Sequence, residues 1–160
     1  MLEPVLALLI FSFVLVVANN GIVYTIQQQW SNAARAAALA GARVLYEKSE
    51  NPTVASLAVN EALSLALLHS WLGRPMDAGQ VLITLGVWEN CLFTPTTISP
   101  NACRVDINGP TDEGGNPIGI TAFFGRINVP MFAPITTQTA VAGLDETTAL
   151  LVEYQGEVCQ

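Results

Sequence analysis

Two adjoining stretches decide the fold: Val5-Leu-Ala-Leu-Leu-Ile-Phe-Ser-Phe-Val-Leu-Val-Val-Ala18 and Ala33-Ala-Arg-Ala-Ala-Ala-Leu-Ala-Gly-Ala42. The first is apolar and carries neither charge nor proline. The second is built almost wholly of alanine, the best helix former. Pro4 suits a first helical turn, so the sequence predicts one helix from Pro4 to Glu47. At about 1.5 Å per residue it would reach roughly 66 Å, about twice a hydrocarbon core of roughly 30 Å. The first half is greasy enough for lipid, and the second half projects beyond it. A greasy stalk joined to a small domain points to anchoring or polymerisation rather than catalysis.

Leu6, Ile10, Phe13 and Val17 lie along one line of the apolar run and are the expected assembly contacts. Ala33, Ala37 and Gly41 fall at i, i+4, i+8, with Ala34, Ala38 and Ala42 on the next line. Small residues at that spacing let another helix approach closely, so they too are expected at an assembly contact. Arg35, Leu39 and Arg43 mark a wetter side. Between the stretches, Asn19-Asn20-Gly21 is a candidate kink or melted turn, against an intact helix with its amides facing water or a neighbour.

The remaining composition narrows the class. The chain has 160 residues, a net charge of −7, six Lys plus Arg, and a mean hydropathy of +0.44. So few cations make a nucleic-acid surface improbable. Charged residues are 12%, well below the roughly 25% of ordinary soluble domains, so much surface must be hidden in a membrane, a partner or copies of itself. No basic segment precedes the apolar run and no small-residue cleavage site closes it. The expectation is a mature N-terminus from which a basic leader was removed, with an unprocessed anchor as the alternative.

Residues 1–48 are thus the assembly helix and 49–160 the head. Within the head, Asn51 and Pro52 predict a helix start and Gly73 and Pro75 its stop, giving a helix over 52–72. Its polar side is narrow, so the alanine-rich half of the first helix and a sheet are expected to cover it. Extended segments are expected at about 80–88, 102–108, 134–143 and 148–155, with a Pro/Thr-rich loop from Asn90 to Asn101. A short helix is expected over Ile120–Ile127. The sum is an α+β chain: a long helix, plus a second helix packed on a small, mostly antiparallel sheet.

Catalytic and metal signatures are missing from the sequence. There is no nucleophile elbow, phosphate loop or HExxH, and His69 is the only histidine. The turn with Asp112 and Glu113 lacks the ordered oxygens of a calcium loop and reads as a solvated hairpin. No cofactor is expected. Cys91, Cys103 and Cys159 fit no metal spacing. If the head is exported, Cys91–Cys103 is the candidate disulfide, worth roughly 3 kcal/mol in the chain-entropy picture. The alternative is that they are small buried hydrophobes.

The segment Gln29 to Ala42, just behind an apolar run, resembles the TadE/TadG-like pilins of tight-adherence systems, a branch of the type IV pilin world. Asn101–Ile107, Phe123–Ile127 and Ile135–Ala142 resemble later pieces of that family more loosely. The resemblance implies a pilin-like fold. It also implies an inner-membrane precursor, cut by a prepilin peptidase and drawn by pilus assembly machinery into a helical homo-oligomeric filament outside the cell. A membrane-anchored minor pilin or surface-binding module shares the same stalk and is the alternative. Viral or phage structural proteins also use one greasy helix. Family pilins carry a glutamate near the mature N-terminus, often at the fifth position, thought to meet a neighbour's terminal amine. Here the acid in reach is Glu3, closer to the end than that pattern.

Overall fold

The computed structural model describes residues 2–71, 74–89, 92–109, 137–145 and 150–154. Helix α1 spans Leu2–Glu47 without interruption. Of the two readings of Asn19-Asn20-Gly21, the intact helix is the one present. Asn19, Asn20 and Gly21 are all helical, and the Thr25 hydroxyl donates to the Gly21 carbonyl at 2.8 Å. Three unfavourable residues cost too little to break a helix of this length.

The chain divides into two units. Of the described residues, the first holds α1 up to Gln28, and the second holds the rest of α1 with nearly all that follows. In the second unit, α2 spans Val54–Leu68, shorter than 52–72. Its N-cap is Thr53 rather than Asn51. Asn51 still shapes the entry, because its Oδ1 accepts from the Thr53 N–H at 2.9 Å and the Thr53 hydroxyl at 2.8 Å. An Asx turn has replaced the cap, placing Pro52 in the turn. The helix closes at His69, whose N–H donates to the Ala66 carbonyl. It ends early because β1 (Ser70–Trp71) pairs with β2 (Arg74–Pro75) in a small ladder.

A 3₁₀ turn at Ala78–Gln80 launches the main sheet. Asp77 accepts from the Gly79 N–H at 2.8 Å, and Gln80 Oε1 accepts from the Asp77 N–H at 2.9 Å. This reciprocal capping fixes where β3 begins. The sheet holds β3 (Val81–Glu89), β4 (Leu92–Pro95), β5 (Ala102–Ile107), β6 (Gln138–Asp145) and β7 (Leu150–Tyr154). Its order is β4-β3-β5-β6-β7, antiparallel throughout. The four extended segments read from sequence are present, with ends shifted by a few residues. Strand β4 replaces part of the expected loop. Its Pro/Thr content suits an edge strand, where a missing N–H costs no ladder bond. The expected helix at 120–127 and the Asp112–Glu113 turn lie outside the described residues.

The register puts Cys103 between Leu85 and Ala142, and Val105 between Ile83 and Ala140. Cys103, Val105 and Ile107 share this face and are fully buried. The helices lie on the same face, since Gly41 of α1 approaches Cys103 and α2 borders Ile83 and Leu85.

Candidate functional site: the apolar helix and its small-residue continuation

Among the first unit's described residues, the apolar run is exposed at every position but Leu15, which is half-buried. Leu6, Ile10, Phe13 and Val17 are 58%, 58%, 70% and 54% exposed, and Val5, Leu9, Phe11 and Val14 are equally open. A helix apolar all round is stable only where something covers it. The run meets the length and apolarity of a membrane span. Glu3 is helical, and its side chain lies outside the described residues.

Ala33, Ala37 and Gly41 stand differently. All three are buried within the second unit, as are Ala34, Ala38 and Ala42. This stripe serves the chain's own core, as the expected cover of α2 by the alanine-rich half of α1 required, and the expectation that it also meets a neighbouring copy is corrected. Alpha-helix α2 brings a matching stripe, Ala58, Ala62 and Ala66, each fully buried. The tightest point is Gly41, where a Cβ would stand 2.6 Å from Cys103 Sγ and 3.3 Å from Ala62 Cβ. Only a residue without a side chain lets α1, α2 and β5 meet there. The stripe on α2 was readable at i, i+4, i+8, and it signals helix–helix approach as clearly as the one on α1.

No family model, curated protein or solved structure matches this chain.

Cys103 carries a free, buried thiol, so the expected Cys91–Cys103 bridge is corrected as well. Cys91 lies outside the described residues. Cys103 is pressed into the contact with Gly41, on the face turned toward the helices. Burial pushes its thiol up to about 12. It is one of the small buried hydrophobes that the sequence allowed as the alternative.

On the opposite face of the sheet, Asp106 has defined partners among the described residues. Asp106 is nearly buried, accepts from the Arg104 guanidinium at 3.0–3.2 Å, and accepts from the Thr139 hydroxyl on β6. A buried carboxylate left without donors is costly, and these partners satisfy it. Its hydroxyl partner on β6 lies 33 residues away in the sequence, beyond the reach of local pattern. His69 is the C-cap of α2, and among the described residues no group of His, Cys, Asp and Glu could hold a metal.

Proposed function

We propose that this chain is a structural subunit that polymerises through its N-terminal helix into a filament outside the cell. The observation that carries this reading is the apolar run, exposed from Val5 to Val17 at every position but Leu15 among the described residues. Burying Leu6, Ile10, Phe13 and Val17 against equivalent helices would gain about 1.5–3 kcal/mol for each fully buried side chain. One repeated contact that does not close generates a fibre. Because the small-residue stripe is occupied within the subunit, the contact between subunits rests on these large side chains. The resemblance to tight-adherence pilins supports the same reading, including a membrane-held precursor cut by a prepilin peptidase.

Glu3 belongs to this proposal. A carboxylate beside an apolar run is costly to bury alone, and a neighbouring subunit's terminal ammonium would pair with it and fix the axial register. Glu3→Ala should accumulate in membranes without forming filaments, scored by electron microscopy of sheared cell-surface material. Normal filaments from this variant would remove the pairing role. A second reading, a membrane-anchored minor pilin or binding module, is favoured by the suitability of the same helix as a membrane span.

A further inference from the structure

Within β3, among the described residues, the stretch Val81–Leu85 is paired with a strand on one side only. Strand β4 pairs with β3 from Gly86 to Glu89, whereas β5 pairs with it from Val81 to Gly86. The side of Val81–Leu85 turned away from β5 therefore has no partner strand among the described residues. The hydrogen bonds around it show which groups face that side. Asn108 N–H donates to the Gln80 carbonyl and Asn101 N–H to the Gly86 carbonyl, both toward β5. Thr96 N–H donates to the Leu85 carbonyl on the other side. Strand groups alternate in direction, so Val81 and Ile83 also point outward. The Val81 N–H is taken by the Ala78 carbonyl at the end of the 3₁₀ turn. That leaves the Val81 carbonyl and both backbone groups of Ile83 as a short edge without strand partners among the described residues.

A cleft runs along this edge. Its walls include Ala55, Val59 and Asn60 of α2, Ile83 and Leu85 of β3, and Thr97 beyond β4. None of its described lining residues is charged, in a chain of net charge −7. A charged occupant would lose water there without gaining a counter-charge. Exposed edges are ordinarily blunted by lysine, proline or a bulge, and Val81-Leu-Ile-Thr-Leu85 carries neither Lys nor Pro.

We propose that the Val81–Leu85 edge, with the cleft beside it, binds an extended, uncharged peptide segment as an added strand. Main-chain bonds to Ile83 and Val81 would supply the affinity, and the uncharged α2 wall of Ala55, Ser56, Val59 and Asn60 would select small or β-branched side chains on alternate positions. The segment matched by this edge is about five residues, or about 17 Å. This binding role is independent of how the N-terminal helix assembles.

The test uses the full chain in detergent micelles and a fluorescent, blocked pentapeptide of alternating threonine and valine. Binding is followed by anisotropy, and amide hydrogen exchange is read at Ile83. The peptide should bind saturably and slow exchange at Ile83 by about tenfold or more, while a peptide N-methylated at alternate amides binds at least about tenfold more weakly. Ile83→Pro removes the outward N–H without touching the β5 ladder and should weaken binding similarly. Val59→Glu places a charge in the cleft away from β3 and should also abolish binding, which decides the matter if the proline variant does not fold. Absence of saturable binding at about 1 mM peptide, or binding indifferent to N-methylation and to Val59→Glu, overturns the proposal. Protection of Ile83 that rises with protein concentration in the absence of peptide assigns the edge to a second copy, and that too overturns it.

Discussion

Gly41→Ala tests the packing that joins α1 to the rest of the second unit. In an open helix this change stabilises by about 1 kcal/mol, because glycine is the poorer helix former. At Gly41 the new Cβ would stand 2.6 Å from Cys103 Sγ, 3.2 Å from Cys103 Cβ and 3.3 Å from Ala62 Cβ. The thiol is fully buried between Leu85 and Ala142, so it cannot swing into solvent, and two of the three contacts are to atoms fixed to the backbone. Overpacking of this kind costs about 1–3 kcal/mol, and with two fixed atoms the upper part of that range applies. The net expectation is a loss of about 1–2 kcal/mol, or about 2–8 °C in melting temperature for a chain of this size. Circular dichroism melts of the full chain in detergent would read it. Cys103→Ala removes the closest atom, so the double variant should lose less than the sum of the singles by about 1 kcal/mol. Gly21, with nothing within 4 Å of its notional Cβ, is the control, and Gly21→Ala should not destabilise. A Gly41→Ala protein as stable as the parent would refute the contact at the heart of the fold.

Other consequences are equally open to measurement. The Cys103 thiol should resist iodoacetamide at pH 8 in the folded chain and react in urea, as mapped by peptide mass spectrometry. Burial raises its pKa from the ordinary thiol value of 9.0 to about 12, so the fold holds this proton more tightly. Its stabilising contribution is therefore complete below pH 9 and lost as pH rises toward 12. Thr139→Val leaves Asp106 short of one donor and should cost about 1–3 kcal/mol, read by urea titration. Phe13→Glu puts a charge on the uncovered helix. It should leave the head's melting temperature unchanged while blocking assembly or insertion, since a central acid costs about 2.5–3.5 kcal/mol on insertion scales. Equal filament yields from this variant and the parent would argue against the apolar run as the contact.

Much of the architecture was legible because its signals are local. The charge-free run and the alanine repeat mark α1, and the alternation Cys103, Val105, Ile107 marks β5 with its buried face. What sequence could not decide was who uses a small-residue stripe. Ala33, Ala37 and Gly41 offer close approach to any helix, and α2 of the same chain competes at far higher effective concentration than another copy. The Cys91–Cys103 pairing failed for a related reason. Sequence separation suggested a short loop, whereas the sheet register turns Cys103 into the contact with Gly41. Strand β4 was hidden by its proline and threonines, which mark loops and edge strands alike. The half-paired edge of β3 follows from where the β3–β4 ladder stops, which no periodicity reveals.

The central claim is that the uncovered helix drives polymerisation. It is tested most directly by negative-stain electron microscopy of sheared cell-surface material, with mass spectrometry of the protein in the fibres and of its N-terminal peptide. The account predicts thin fibres composed of this chain, with a processed N-terminus that sets Glu3 in register. Protein held in membranes with an uncut leader and no fibres would contradict it, and the helix would then be an anchor.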